Sequence, residues 1–306
     1  MAAVRLTSDW CILHRQAMKS IESNPPPTTT AGGGASAAHP SRPRPWYVPA
    51  LKALGGLPKG KGLLWRVILP MLPPGLRRIV DRPFGFWMSL DLNQLLDFEY
   101  TFGIHDSEEV AFLVEAYESG THFVDVGANQ GFYSLYLASR RPDARIIAFE
   151  PDPYSLEKLR LNREMNGFGN ISIVPCAIAD DDATRTLRVV SRRNRGANSL
   201  LESGAPDGGA GAAIEVPCRP LLDVLLEHGV ERVSALKIDV EGYEYPVLRR
   251  FLADAPERLR PRAIVVEALG DRIAVVGGSP VDLLVEHGYR TVNHGRFNFL
   301  MKLRGD

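Results

Sequence analysis

From about residue 120 onward, short apolar runs alternate with segments in which apolar residues recur at helical spacing. The apolar runs predict strands at 123–126, 145–149, 171–174, 235–238 and 263–266. The segments between them predict helices at about 131–140, 153–166, 220–228 and 243–252. Buried strands separated by helices are typical of a mainly parallel α/β sheet with helices on both faces.

Two further patterns modify this sheet. A helix at 281–287 followed by alternating segments at 289–292 and 297–303 predicts an antiparallel strand pair that closes one edge. Alternating segments at 184–190 and 214–218 flank a loop rich in Gly and Ala, which predicts an inserted hairpin. Long loops in compact domains are often functional, so we expect this one near the substrate.

The N-terminal third has a different character and divides the chain into three parts. Residues 1–45 form a disordered or low-complexity N-terminal segment: Pro, Thr, Ala and Gly dominate residues 23–45 and bury little apolar surface, whereas residues 4–21 have the alternative of forming a helix. Residues 46–96 form an extension with a strand at 85–92 that pairs into a small hairpin, and 97–306 form the main domain. Residues 46–80 mix Leu, Trp and Val with Lys and Arg. This composition predicts an amphipathic segment that lies on the main domain or over the substrate, or alternatively on a membrane surface.

Composition excludes several classes of protein. Lys plus Arg and Asp plus Glu both number 36 in 306 residues, so the formal net charge is zero and gives no sign of a nucleic-acid partner. The three cysteines are scattered without metal-ligand spacing, which indicates a reducing compartment. No apolar run approaches a membrane span and no secretory signal is recognisable, so we expect a cytoplasmic protein.

The segment 123–131 carries the first candidate site. It reads Phe-Val-Asp-Val-Gly-Ala-Asn-Gln-Gly, which predicts a strand, a glycine turn and the start of a helix. We expect unpaired amides of the turn and the carboxylate of Asp125 to point into one crevice, where NAD, a phosphate or S-adenosylmethionine could bind. Asn129 occupies the place where a dinucleotide site needs its second glycine, and no Gly-Lys-Ser/Thr follows. The remaining ligand has a nucleoside and a cationic amino-acid end.

The next two predicted strands supply the rest of a nucleoside site. Glu150 follows the second strand, where a carboxylate can accept hydrogen bonds from both hydroxyls of a ribose. Ala177 and Ile178 follow the third strand and could flank a flat base, with Asp180 near its amino group. Ile178 has the alternative of being an ordinary core residue.

The fourth strand ends in two carboxylates. Asp239 and Glu241 follow a buried strand, with Lys237 two residues upstream of Asp239. Closely placed acids raise each other's proton affinity, so one of them could act as general base for a hydroxyl. Two alternatives remain: the pair could hold a divalent cation, which the absence of a nearby His disfavours, or Glu241 could cap the next helix. We expect no metal.

Four sequence blocks together resemble a known family. Residues 125–134, 148–153, 175–180 and 236–244 are similar to the signature blocks of the FkbM family of S-adenosylmethionine-dependent methyltransferases. The resemblance spans about residues 88–303. It also includes Asn198-Ser199-Leu200, Glu267 and His287-Gly-Tyr289, and the order and spacing of the blocks make it specific.

The resemblance implies a class I methyltransferase fold, which is Rossmann-like with seven strands, and a set of site residues. It implies that S-adenosylmethionine is the cofactor, held by residues of the turn and of the second strand: Asp125, Gly127, Ala128, Asn129, Gly131 and Glu150. It also implies O-methylation of a hydroxyl on a sugar or a polyketide-type natural product. The substrate would enter beside Asp239, Glu241 and Ser199, and Glu267 would line the site.

The sequence therefore predicts a methyltransferase in which Asp239 or Glu241 removes a proton from the acceptor, with His294 as a further candidate. The expected partner is a small molecule or saccharide, without nucleic acid. Two rivals remain. One is a scaffold protein that binds the cofactor without catalysis, and the other is a nicotinamide-dependent oxidoreductase, which Asn129 disfavours.

Overall fold

The computed structural model describes residues 46–55, 64–103, 107–189, 198–201, 213–270, 273–295 and 297–305. The predicted disorder of residues 1–45 and most of the predicted substrate-facing loop fall outside these residues. In the described part, no helix combines the length and the apolar composition that crossing a bilayer requires.

The N-terminal extension consists of short helical pieces and a hairpin. The elements in chain order are α1 (Val48–Gly55), a π-helical segment (Leu64–Ile68) that runs into α2 (Leu69–Met71), a 3₁₀ turn (Pro74–Leu76), β1 (Arg78–Asp81), β2 (Met88–Asp91), α3 (Leu95–Thr101) and α4 (Ser107–Ala116). Strands β1 and β2 pair antiparallel, which confirms the predicted hairpin. Helix α3 is not predicted by the sequence pattern, and it crosses the boundary that we expected between residues 96 and 97.

The alternating part of the chain forms the predicted α/β sheet and an insertion. The elements continue with β3 (His122–Val126), α5 (Phe132–Arg140), β4 (Arg145–Phe149), α6 (Pro153–Asn166), β5 (Ile171–Val174), β6 (Ala177–Ala179), β7 (Ala183–Arg188), β8 (Ala213–Pro220), α7 (Leu221–Glu227), β9 (Val233–Ile238), α8 (Glu244–Asp254), β10 (Ala263–Glu267), α9 (Ile273–Val276), α10 (Pro280–Glu286), β11 (Tyr289–His294) and β12 (Asn298–Leu303). Each of the five predicted parallel strands is present, within two residues of its predicted ends.

The main sheet has seven strands in the order β11-β12-β10-β9-β3-β4-β5. All neighbours from β10 to β5 are parallel, and β12 joins antiparallel between β10 and β11, which confirms the predicted closing pair. From β3 the chain moves outward to β4 and β5, and it later returns to the other side of β3 with β9. This reversal makes the carboxyl ends of β3 and β9 a topological switch point, where ligands bind in open α/β sheets.

The insertion forms a separate three-stranded sheet in the order β6-β8-β7. Strands β7 and β8 are the predicted antiparallel hairpin, and β6 adds to β8 in parallel. The sequence pattern does not predict β6, because three residues are too few to show alternation. Strand β6 follows β5 directly, so the insertion begins beside the switch point of the main sheet.

Apolar side chains cover both faces of the main sheet. One core layer joins the sheet to α4 and α5 and also takes in Val48, Met88 and Phe98 of the N-terminal extension. The other layer lies against α7, α8 and α10. Residues 46–96 therefore share one core with the main domain instead of forming a unit of their own.

A buried ion pair fixes α3 on the sheet. The carboxylate of Asp97 accepts hydrogen bonds from the ammonium of Lys158 on α6, from Gln130 Nε2 at 2.5 Å and from the amide of Asp91 at 2.6 Å. Burial raises the pKa of Asp97, and the charge of Lys158 opposes that shift. Because Gln130 belongs to the turn after β3, this contact ties the N-terminal extension to the switch point.

Candidate active site

A cavity of about 250 Å³ opens at the carboxyl ends of β3, β4 and β9. Its volume is near the lower end of the range for small-molecule sites, which begins at about 300 Å³. The residues that line it come from α3, the turn after β3, the ends of β4, β5 and β9, and the insertion: Leu95, Leu96, Glu99, Tyr100, Gly127, Ala128, Asn129, Gln130, Phe132, Tyr133, Phe149, Glu150, Pro151, Ser155, Cys176, Ala177, Ile178, Leu187, Asn198, Leu200, Lys237, Asp239, Val240 and Glu241. The sequence-predicted crevice is thus a real cavity.

The turn after β3 brings its backbone close to the end of β9. Gly127 has φ of +77°, and a Cβ atom added there would lie 1.9 Å from the carbonyl oxygen of Asp239. A side chain at position 127 is therefore excluded by both the left-handed conformation and the close approach. Gly131 is similarly constrained, with φ of +92° and only 2.3 Å from its would-be Cβ to Leu159 Cδ1. Of the two glycines, only Gly127 lines the cavity.

The expectation that unpaired turn amides face the ligand is wrong for the first three positions. The amides of Gly127 and Ala128 both donate to the carbonyl of Phe149, at 3.1 and 2.9 Å, and the amide of Asn129 donates to Glu150 Oε2 at 2.7 Å. The reason is that the β3–β4 ladder continues past the strand ends and uses these donors. Asn129 nevertheless lines the cavity, in a left-handed conformation with φ of 50° that Asn tolerates better than most residues.

Glu150 stands at the end of β4 with one hydrogen bond to each carboxylate oxygen. Oε2 accepts from the amide of Asn129 and Oε1 accepts from the amide of Asp152 at 2.8 Å. Each oxygen keeps a further lone pair for a ligand hydroxyl. Burial raises the pKa of Glu150 to about 7, although both amides favour the ionised form. A carboxyl group with these properties in a cavity wall is a candidate binding residue.

Asp125 lies beneath the turn and does not line the cavity. It is fully buried, and its Oδ2 accepts a hydrogen bond from Ser134 Oγ at 2.6 Å. Its Oδ1 lies 3.8 Å from the ammonium of Lys237. Burial raises the pKa of Asp125, while Lys237 and Ser134 oppose the shift. Direct contact between Asp125 and a ligand stays a prediction, because the structure gives it a position behind the wall.

The base-flanking residues that the sequence proposes occupy one side of the cavity. Ala177 and Ile178 line it together with Cys176. Asp180 does not reach the cavity, contrary to our expectation. Its Oδ1 accepts hydrogen bonds from Tyr243 Oη at 2.8 Å and from Arg185 at 3.1 Å, and these partners turn the carboxylate toward the insertion.

Asp239 and Glu241 both line the cavity, in the loop between β9 and α8. Glu241 has φ of 56°, a conformation that is uncommon for Glu and often marks a functional site. The loop is held by Glu244, whose buried Oε1 accepts hydrogen bonds from the amides of Val240 at 2.8 Å and Gly242 at 3.2 Å. Helix α8 begins at Glu244, and the alternative that Glu241 caps it stays a prediction.

Lys237 is a buried cation between the carboxylates. Its Nζ donates to the carbonyl of Gly127 at 2.8 Å and lies 3.5 Å from Asp239 Oδ2. Burial alone would lower the pKa of Lys237, but the charges of Asp239 and Asp125 outweigh it and raise the pKa. Lys237 therefore stays protonated and joins the turn after β3 to the end of β9.

The two predicted substrate residues lie just behind the wall. Ser199 is buried, and its Oγ donates to the carbonyl of Glu241 at 2.8 Å, so the insertion braces the strained loop.

Carboxylate oxygens of Glu267, Asp239 and Glu244 all lie within 4.8 Å of one another. Burial and these neighbouring charges raise the pKa of Glu267 well above its usual range. This trio has the spacing that a cation would need, and a cation site at the pair Asp239 and Glu241 stays a prediction. His294 is exposed on β11 and does not line the cavity.

Sequence reasoning missed three contributors to the site. Helix α3 provides one wall through Leu95, Leu96, Glu99 and Tyr100. Tyr133 in the first turn of α5 also lines the cavity, with its ring 5.2 Å from the ammonium of Lys237. Glu244 organises the loop. The sequence offers one signal for Glu244, an acidic residue directly after the Gly242-Tyr243 turn and before an amphipathic helix.

The charged residues of the wall are mostly acidic. Among the described residues that line the cavity, Glu99, Glu150, Asp239 and Glu241 are acidic and Lys237 is the one cation. An acid-lined cavity favours a cationic ligand over a polyphosphate. This charge balance agrees with the sequence argument against a dinucleotide, and it suits a ligand that carries a sulfonium and an ammonium group.

Comparison with known proteins shows that this chain is similar to methyltransferases. Residues 125–291, more than half of the chain, match the model of the methyltransferase FkbM domain. Methyltransferase sdnD of Sordaria araneosa is 30% identical over 158 residues, which cover 43% of this chain and 60% of sdnD. The 31-O-demethyl-FK506 methyltransferase FkbM of Streptomyces tacrolimicus is 29% identical over 194 residues, with coverage of 55% and 72%. The chain thus spans about three fifths of the length of the first of these relatives.

A solved structure resembles the chain more distantly. SMU.1697c from Streptococcus mutans, solved in complex with SAH, has a TM-score of 0.39 and 11% identity, and the match covers 64% of this chain and 96% of that one.

Proposed function

The chain belongs to the FkbM methyltransferase family, and from this premise we propose that it transfers a methyl group from S-adenosylmethionine to a hydroxyl of a small, uncharged acceptor. When bound, the cofactor supplies an electrophilic methyl group on a positively charged sulfur. The protein's contribution is to hold the acceptor oxygen in line with that methyl group, which can lower a barrier by roughly 7–11 kcal/mol.

The residues on one side of the cavity fit the cofactor. Glu150 has a lone pair left on each oxygen for the two ribose hydroxyls. Ala177 and Ile178 provide an apolar surface for the adenine base. Gly127 and Asn129 form the turn that would receive the amino-acid end, and the described part of the wall holds four acids and one cation. Gly131 and Asp125 would act indirectly, through the shape of the turn and through Lys237.

One observation carries the assignment of the base. The carbonyl of Asp239 touches the cofactor turn at Gly127, while its carboxylate lies in the cavity wall with 37% of the side chain exposed. We therefore infer that Asp239 lies between the predicted donor side and the rest of the cavity. There it would accept the proton that the acceptor hydroxyl releases as the new O–C bond forms. Glu241, whose backbone is braced by Ser199, would contact the acceptor beside it.

The remaining apolar residues of the cavity wall indicate the class of acceptor. Leu95, Leu96, Leu187, Leu200 and Tyr100 give the wall an apolar surface. Most charged residues in the described part of the cavity wall are acidic, so the cavity would repel phosphorylated or carboxylated compounds. A neutral hydroxyl compound with an apolar body fits best. The relative from Streptomyces tacrolimicus, named as a 31-O-demethyl-FK506 methyltransferase, supports an oxygen acceptor.

The experiment is a transfer assay with methyl-labelled S-adenosylmethionine. The panel contains macrolactone alcohols, free saccharides, the phosphorylated forms of both, primary amines and a short RNA. We expect label in the neutral hydroxyl compounds and none in their phosphorylated forms. Label confined to amines or RNA would contradict the proposal. Cofactor binding with no transfer to any class would support the rival scaffold function.

The raised pKa of Glu150 predicts pH-dependent cofactor affinity. The ribose hydroxyls must donate to an ionised carboxylate, and Glu150 has a pKa of about 7 in the protein without ligand. Affinity for S-adenosylhomocysteine should therefore be full above pH 7. Below it, the affinity should fall by up to about tenfold for each pH unit, because the ligand binds the ionised form. Calorimetric titrations between pH 5.5 and 8 measure this slope.

The variant Glu150→Gln identifies the group responsible. Burial also raises the pKa of Glu244 to about 7, so Glu244 titrates in the same window. We expect Glu150→Gln to bind more weakly at pH 8 and to show a flat profile. A slope that persists in Glu150→Gln would assign the pH dependence to Glu244 and refute the role of Glu150. Glu157→Gln, on the exposed side of α6, is the matched control.

A further inference from the structure

The N-terminal extension exposes an apolar surface that the methyltransferase function does not use. We name it the N-terminal patch and define it by Trp46, Val67, Met71 and Leu76 together with Arg66 and Arg78. The four apolar side chains are 88%, 50%, 78% and 40% exposed, respectively. Monomeric proteins rarely expose several large apolar side chains together, and such patches mark interaction sites.

The patch follows from the way its elements pack. Helix α1 buries Val48 and Leu51 in the core, yet its outward positions Pro49, Ala50 and Ala53 are apolar as well, where a surface helix is normally polar. Tyr47, the neighbour of Trp46 in the chain, donates from its Oη to the carbonyl of Leu76 at 2.6 Å, and the Trp46 ring lies edge-on to the Tyr47 ring. Val67 and Met71 are four residues apart on one continuous helical segment and lie on the same side of it.

The charge around the patch is strongly one-sided. Residues 23–80 contain eight Lys and Arg residues and no Asp or Glu, on a chain whose net charge is zero. The first acid after this stretch, Asp81, is buried and pairs with Lys52 at 2.8 Å. Arg66 and Arg78 are exposed, and Arg78 also lies 3.8 Å from the largely buried carboxylate of Asp91. The patch therefore presents a positive potential, which is complementary to an anionic surface.

We propose that the N-terminal patch binds peripherally to an anionic lipid bilayer. Exposed apolar side chains enter the headgroup boundary, Trp prefers that depth, and Arg and Lys attract anionic headgroups. Residues 23–45, which directly precede the patch, contain no Val, Leu, Ile, Met, Phe, Tyr or Trp. This proposal is independent of the acceptor and of the methyl transfer.

Sedimentation of the full chain with lipid vesicles tests the proposal. The vesicles contain either phosphatidylcholine alone or phosphatidylcholine mixed with phosphatidylglycerol at about one anionic lipid in three. We expect binding to the anionic vesicles that is at least about tenfold stronger than to the neutral ones and that weakens in high salt. The variant Trp46→Glu/Met71→Glu should lose that binding.

Val275→Glu provides the matched control, because Val275 is 51% exposed and lies on α9, outside the patch. The control should bind vesicles like the wild type. All three proteins should share the same unfolding temperature and the same affinity for S-adenosylhomocysteine, which shows that the fold is intact. Absence of binding to anionic vesicles by the wild type would overturn the proposal. Equal binding to anionic vesicles by all three proteins would also overturn it. The same holds if the patch variant still binds the vesicles and differs from the wild type only by losing self-association in ultracentrifugation.

Discussion

Replacing Asp239 with asparagine is expected to lower kcat for methyl transfer by about 10²- to 10⁴-fold, the range that a positioned general base contributes. The amide has the shape of the carboxylate but cannot take the proton of the acceptor hydroxyl. The backbone contact between position 239 and Gly127 is kept, so the affinity for S-adenosylhomocysteine should stay close to that of the wild type. The assay is the release of S-adenosylhomocysteine with an acceptor identified in the panel, combined with calorimetry on the same preparation.

Asp180→Asn is the control for this result. Asp180 follows β6, also at the edge of the site, but its carboxylate is engaged by Tyr243 and Arg185 and does not reach the cavity. Its variant should keep a rate close to that of the wild type. Full turnover by Asp239→Asn would remove Asp239 from the mechanism and leave Glu241 as the candidate base.

Replacing Lys237 with methionine is expected to lower the free energy of unfolding by about 3–5 kcal/mol, the usual loss when one partner of a buried ion pair is removed. Asp125 is fully buried and lies 3.8 Å from the Lys237 ammonium, so the variant leaves a buried carboxylate without its cation. The carbonyl of Gly127 also loses its donor. Urea denaturation at pH 7 measures the loss.

A second substitution separates this charge effect from a packing effect. In the double variant Asp125→Asn/Lys237→Met, the uncompensated charge is gone, and we expect part of the lost stability to return. A single variant that is as stable as the wild type would show that the Lys237 ammonium does not compensate Asp125. A double variant that is less stable than the single one would assign the loss to packing.

The strands of the sheet could be predicted from the sequence because they are buried on both faces. Such strands appear as continuous apolar runs, and the boundaries of β4, β5 and α6 match the predicted ones. Glu150 and Asp239 could be placed in the site for a related reason. The carboxyl ends of parallel strands meet at one edge of a sheet, so residues directly after those strands come together without any knowledge of side-chain contacts.

The part of the cavity wall that α3 forms could not be predicted from the sequence. The helix has only seven residues, and its position depends on contacts of Asp97 with Lys158 and Gln130, which are 61 and 33 residues away. No local pattern encodes such pairings. The misjudged turn amides have a similar cause, since two of them donate to the carbonyl of Phe149 and the third to the carboxylate of Glu150, both more than 20 residues away.

Asp180 shows the limit of the strand-end argument. It follows a short strand, as Glu150 and Asp239 follow long ones, but β6 belongs to the inserted sheet and not to the main one. Its carboxylate therefore turns to Arg185 on β7. Position after a strand identifies a site residue only when the strand belongs to the sheet that carries the site.

The most direct test of the account is a calorimetric titration of S-adenosylhomocysteine into the wild type and into Glu150→Ala at pH 8. The account predicts one site per chain in the wild type. It predicts that affinity falls by about 100-fold or more in Glu150→Ala, because two hydrogen bonds to a charged acceptor are lost. Thermal unfolding of both proteins shows whether the variant keeps its fold. A folded wild type that binds no S-adenosylhomocysteine, or a variant that binds it equally well, would contradict the placement of the methyl donor in this cavity.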